Sequence, residues 1–161
     1  MKVSHKIAFL VMFMVVWPLL PLSLQASENS ELLRGQTVYV PAYSHIYSGD
    51  NEKPFLLTIT LSIRNIDMKQ SITVTTVDYY ETQGNLLKKM LDTSVSLRPL
   101  ESIRYIIPQK DKTGGSGANF IVEWAADAPV NPPIIETVMI GTQAQQGISF
   151  TSRGHAIKTT E

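Results

Sequence analysis

Thr113-Gly114-Gly115-Ser116-Gly117-Ala118-Asn119 runs straight into Phe120-Ile121-Val122-Glu123-Trp124. The fold turns on the segment after the glycines. Phe120, Val122 and Trp124 share one parity and Glu123 takes the outer one, a period of two that reads as a strand. A glycine loop opening a helix would suggest a nucleotide site, and the G-x-x-x-x-G-K-[ST] pattern of such a loop is absent. A glycine loop opening a strand suggests a β protein with a shaped surface loop.

The segments on either side agree. Pro54 to Asn65 is the clearest strand, with Leu57, Ile59, Leu61 and Ile63 alternating with Thr58, Thr60, Ser62 and Arg64. In Ser71 to Glu81 the apolar parity switches between Ile72/Val74 and Val77/Tyr79, which predicts a bulge near Thr75-Thr76. Gly84 marks a hairpin turn with positive φ, and Leu86 to Leu91 after it reads as strand. Val38 and Val40 share a face, and Pro41 suggests an edge strand, because proline cannot donate to a ladder. Ser94–Leu97, Ser102–Pro108, Ile134–Thr142 and Ile148–Arg153 complete the set. Asp127 to Pro133, with its three prolines, is expected to be an irregular connection. The reading is an all-β antiparallel β-sandwich of about eight strands, immunoglobulin- or fibronectin-like, over residues 36–157. Residues 27–35 are expected to form a flexible leader, and the tail from Gly154, residues 158–161 above all, is expected to be loose.

The start of the chain reads differently. Lys2 and Lys6 precede the apolar run Ile7–Trp17, and a small residue, Ala26, closes the stretch. This is the pattern of a secretory signal peptide over residues 1–26, cut after Ala26. A retained anchor is the competing reading, but the run is short for a span of about 20 residues, and Pro18 and Pro21 interrupt its end. The chain has no cysteine, so neither a lipoprotein anchor nor a disulfide is available, and the fold must rest on its core. A periplasmic or secreted bacterial protein is expected. Without Lys2 and Lys6, 12 basic residues face 14 acidic ones. Lys88-Lys89 is the sole adjacent basic pair after the leader, so nothing suggests a nucleic-acid surface.

The layout of Asn65, Asp78-Tyr79-Tyr80-Glu81, the Gly84 turn and Leu97-x-Pro99-Leu100 resembles immunoglobulin-like accessory domains of exported bacterial proteins. The resemblance narrows on longer motifs: Gly35 to Tyr47, Leu61 to Asn65, Val77 to Tyr80, Gly114 to Trp124, Met139 to Thr142 and Gly147 to Phe150. In these the chain is similar to an uncharacterised bacterial family, domain of unknown function 3124, over about residues 35–157. That resemblance implies an exported domain and brings no catalytic residues with it.

Two sets of residues are candidates for binding. Gly114, Gly115, Ser116, Gly117 and Asn119 form the first. Their backbone N–H groups suit an anion nest, with Lys110 and Lys112 adding charge, unless the glycines serve only to shape a hairpin connection. Tyr43, His45 and Tyr47 form the second, since they share a parity and would line one face of an extended stretch, or else anchor an edge. A metal site is not expected: His45 and His155 stand far apart after the leader, and Asp50-Asn51-Glu52 lacks the alternating spacing of a calcium loop. A hydrolase would need Ser116 with His45 or His155 as base and Asp78 or Glu123 as orienter, and nothing in the sequence ties these together. Glu123 is otherwise a lone surface carboxylate or a partner for Arg104. The expectation is a non-enzymatic exported module without cofactor or stable membrane span. Its partner would be a protein, an envelope component or a small anion, met through the loops. A purely structural partner domain, marked by a large exposed apolar patch, is the remaining alternative.

Overall fold

The computed structural model describes residues 31–47, 53–143 and 145–160. The expected leader over 1–26 and the Asp50-Asn51-Glu52 run lie outside these residues. The described residues are all-β, with twelve strands and no helix, where about eight strands were expected. In chain order they are β1 (Leu33–Pro41), β2 (His45–Tyr47), β3 (Pro54–Leu56), β4 (Thr58–Arg64), β5 (Ile72–Tyr80) and β6 (Leu86–Lys89). Next come β7 (Val95–Leu97), β8 (Ser102–Ile107), β9 (Asn119–Val130), β10 (Ile134–Gln143), β11 (Gln146–Arg153) and β12 (His155–Thr160). They make three sheets, and every pairing is antiparallel. One runs β12-β1-β9-β5-β6, with β7 also on β5. The second runs β11-β10-β4-β8, and β2-β3 is a small third.

Alternation explains the core. Ile59, Leu61 and Ile63 of β4 are fully buried, as are Val77 of β5 and Phe120 and Val122 of β9. Side chains from both large sheets join one buried cluster. Each such aliphatic or aromatic group contributes about 1.5–3 kcal/mol, and that burial stands in for the cross-links a cysteine-free chain lacks. The parity switch in β5 has its predicted cause: the ladder to β9 shifts between Val74 and Thr76, which leaves Thr75 as the extra residue. The shift turns Val77 and Tyr79 to the same buried face as Ile72 and Val74. Gly84 takes φ +85° in the turn before β6.

Several boundaries move. Pro54 to Asn65 is two strands, because the Leu57 N–H leaves the ladder and donates to the Ser44 carbonyl at 2.9 Å. Pro41 does not mark an edge strand, since β1 lies between β12 and β9. Pro41 itself sits past the last β12 pair, Tyr39 with His155, so no partner there misses its N–H. The proline-rich Asp127–Pro133 connection shrinks to residues 131–133, because β9 continues to Val130. Pairing of β5 with β9 stops at Ala125, so the remaining length has one neighbour and tolerates Pro129. Leu33 to Gly35, placed in the leader, belong to β1, where Leu33 is buried.

The largest correction concerns the tail. Residues 155–160 are not loose: β12 pairs with β1 from Tyr39–His155 to Gly35–Thr160. The chain passes from the four-stranded sheet to the six-stranded one at Gly154, whose N–H donates to the Ile135 carbonyl at 2.8 Å. A Cβ there would lie 2.6 Å from Val38 Cγ1 and 2.9 Å from the Ile135 oxygen, so only glycine lets the backbone through. Thr137, also buried, donates from Oγ1 to the Pro41 carbonyl at 2.6 Å and ties β10 to β1.

The strands define two poles. β4 starts beside Ser44, β5 ends opposite Asn119 and β1 ends opposite Asn119 as well, which gathers these ends at the glycine loop. Asn65, Ile72 and Leu33 lie at the other pole, about 23 Å away along the seven residues of β4.

Candidate functional site

Ser44 joins the two candidate segments. Its N–H donates to the Gly115 carbonyl at 3.0 Å, its Oγ donates to the same carbonyl at 3.1 Å, and the Gly115 N–H donates back to Oγ at 2.9 Å. Ser44 is fully buried, and Ala42 N–H also reaches the Ala118 carbonyl at 2.8 Å. The stretch from Ala42 to Tyr47 is thus bound along the glycine loop, and the two sets of residues form one surface.

The loop is fixed from its other side by Thr82. Its N–H and Oγ1 donate to the Gly114 carbonyl at 2.9 and 3.0 Å, and Oγ1 accepts from the Gly117 N–H at 3.0 Å. With Gly115 N–H held by Ser44 and Gly117 N–H held by Thr82, two of the donors of the expected anion nest are already spent. The glycines serve close approach instead. A Cβ on Gly114 would lie 1.9 Å from the Tyr79 hydroxyl, and one on Gly115, at φ +80°, would lie 2.3 Å from Thr82 Oγ1. Ser116 and Asn119 are half-buried in this loop and at its exit.

Tyr79 forms the floor. Its ring is buried and packs on Phe120 with centroids 4.8 Å apart, and its hydroxyl has no hydrogen-bond partner among the described residues. Burial, with the Asp111 carboxylate second, pushes its phenol up to about 12.

His45 and Tyr47 stand together on the outer side, as their parity requires. The His45 Nε2 lies 3.3 Å from the Tyr47 hydroxyl, and their rings meet edge to face at 5.4 Å. The other ring nitrogen, Nδ1, lies 3.4 Å from Ser44 Oγ. Tyr43 departs from this pair and packs edge-on against Phe150 at 5.7 Å. Of the three, Tyr47 is the most exposed, at 54%.

No hydrogen bond among the described residues brings a histidine to Ser116. His45 is occupied with Ser44 and Tyr47, and His155 lies on β12, paired through the strand backbone with Tyr39 of β1. Glu123 neither stands alone nor meets Arg104: it accepts from Thr76 Oγ1 at 2.8 Å and from Thr37 Oγ1 at 3.4 Å. No group of three or more His, Cys, Asp or Glu residues that could hold a metal occurs among the described residues. Sequence reasoning missed Ser44 and Thr82, both of which act on the loop from more than thirty positions away. The one signal for Ser44 was its inward parity between Tyr43 and His45.

The geometry is that of an all-β antiparallel domain with a clasped loop surface at one pole. The chain belongs to the family described as Protein of unknown function (DUF3124), whose profile matches residues 35–157. A comparison with curated proteins finds no match. Among solved structures, the crystal structure of Thermotoga maritima 1070 is similar at 11% identity and a TM-score of 0.42, covering 76% of this chain and 93% of that one.

Proposed function

We propose that the chain is an exported binding module, an immunoglobulin-like sandwich of the bacterial envelope, that meets a protein or envelope component through the pole carrying the glycine loop. The observation that supports this reading is the Ser44–Gly115 clasp. It orders the loop and the His45–Tyr47 pair before any ligand arrives, so binding there costs little ordering entropy. The surface offers an exposed aromatic, an imidazole and loop hydroxyls, groups suited to a polar macromolecular partner. A small anion is the less favoured ligand, because Gly115 and Gly117 donate within the protein.

A photoreactive residue in place of Tyr47, compared with one in place of Ile106 on β8, tests the proposal in envelope extract. A partner that cross-links from position 47 alone, and is lost in a His45→Ala variant with an unchanged melting temperature, is expected. The same products from both positions would sink it. A Ser116→Ala variant with unaltered capture separates this reading from a hydrolase.

A further inference from the structure

The opposite pole holds a second arrangement that the glycine-loop reading does not use. Asn65 is buried and donates through Nδ2 to the carbonyls of Gln70, Leu97 and Arg98 at 2.8, 3.2 and 3.0 Å, while its Oδ1 accepts from the Asp67 N–H at 3.0 Å. Asp67, also buried, accepts from the N–H groups of Lys69 and Gln70 at 2.9 Å each, and from the N–H and Nδ2 of Asn131 at 3.1 and 3.2 Å. The Asn65 N–H reaches the Glu101 carbonyl at 3.0 Å. Two turns, residues 65–70 and 98–101, are thereby locked together.

Three of the side chains that these turns expose, beside Lys69, Gln70 and Arg98, are apolar. Met68 is 78% exposed, Leu100 65% and Ile66 39%. Leu100 holds φ +62°, a left-handed conformation that costs an L residue about 1–2 kcal/mol, and it gains no burial in return. Lys69 and Arg98 flank the tips, Asp67 points inward and Glu101 is engaged by Arg98 at 3.2 Å. The exposed Glu31 and Asp127 offset these cations, so the attraction is carried by the tips and not by net charge.

The direction of the chain decides what covers this pole. β1 begins here, with Leu33 opposite Val130, one residue before the Asn131 that Asp67 holds. The chain therefore enters the domain from this side, where Leu32 beside the junction is 51% exposed, and the inference rests on the retained-anchor reading of the apolar run Ile7–Trp17. We propose that this pole rests on a lipid bilayer, with Met68, Leu100 and Ile66 entering the headgroup region and Lys69 and Arg98 reaching phosphates around them. The glycine loop then faces away from the membrane.

The cysteine-free chain allows a clean test. An environment-sensitive fluorophore is placed on the full chain at Met68→Cys, or at Gln83→Cys in the hairpin of the other pole. Each is bound to phosphatidylcholine vesicles with and without phosphatidylglycerol. Position 68 is expected to shift to the blue and to be quenched by a bilayer-embedded quencher about threefold more than position 83 on both vesicles. Adding Leu100→Glu is expected to reverse most of that difference while the melting temperature stays within a few degrees. A probe at 68 that remains in water, or equal quenching at 68 and 83, overturns the proposal. Either result reads the membrane pole alone and leaves the glycine-loop reading to its own experiment.

Discussion

Ser44 and Gly115 exchange three hydrogen bonds across 71 positions of sequence, two of them through one buried hydroxyl. No strand pairing joins them, so the serine side chain does what a ladder does elsewhere. Ser44→Ala is expected to destabilise the fold by about 1–3 kcal/mol, since both hydrogen bonds of the buried hydroxyl are lost and the half-buried Gly115 N–H keeps only the longer contact to the Lys112 carbonyl. Urea denaturation gives the size of the loss, and hydrogen exchange at Gly115 gives its place. Unchanged protection at Gly115 would show that the clasp does not hold the loop.

Gly114 and Tyr79 compete for one space. Gly114→Ala places a methyl on the Tyr79 hydroxyl and is expected to cost about 1–3 kcal/mol. Tyr79→Phe removes a hydroxyl that has no partner among the described residues, and is expected to be neutral or stabilising by up to about 1 kcal/mol. In the double variant the alanine is expected to cost less than it does alone. Additive effects in a thermal double-mutant cycle would refute the contact.

Asp67 sets the behaviour in acid. The backbone N–H of Lys69, then those of Gln70 and Asn131, lower its carboxyl from 3.8 to about 2. A folded value below the unfolded one means that the contribution is whole above about pH 4 and is lost as pH falls toward about 2. Urea midpoints measured between those limits are expected to drop in the parent. Asp67→Asn is expected to be less stable at neutral pH, because an amide replaces one acceptor, and its midpoints are expected to vary less over the same range.

Tyr79 shapes the alkaline side with the opposite sign. Its phenol is raised from 10.0 to about 12, so its contribution is whole below pH 10 and disappears as pH climbs through 12. Burial also raises the Tyr105 phenol, so ultraviolet titration is expected to show one fewer late group in Tyr79→Phe than in the parent.

Leu100→Gly relieves a strained φ without opening a cavity. A gain of up to about 1 kcal/mol is expected, net of the freer unfolded chain. Thermal denaturation measures it. A loss would mean that the leucine side chain supports the turn.

Much of this architecture could be read from alternation alone. Leu57 to Ile63 declared their buried face, and the switch from Val74 to Val77 placed the bulge near Thr75-Thr76, where the ladder shifts. The Gly84 turn and the strand at Leu86 came from local chemistry. What failed was local evidence about non-local neighbours. The polar tail after Gly154 looks loose because all six residues of β12 are exposed, and its order comes entirely from backbone bonds to β1. Pro129 looked like a loop residue because its composition cannot tell that β5 has already ended on one side. At the site, parity brought His45 and Tyr47 together but said nothing of Ser44 and Thr82, whose hydroxyls act on partners chosen by the tertiary fold.

The crossing at Gly154 also bears on when the protein can become folded. The last strand lies against the first, and the hairpin strand before it forms the rim of the other sheet. The four-stranded sheet needs its rim strand up to Arg153, the six-stranded sheet is not complete until residues 155–160 are in place, and the β1–β12 closure spans nearly all the described residues. Anything that keeps residues 155–160 from β1 therefore holds back the finished six-stranded sheet. The first strand therefore keeps one edge open until residues 155–160 have been made.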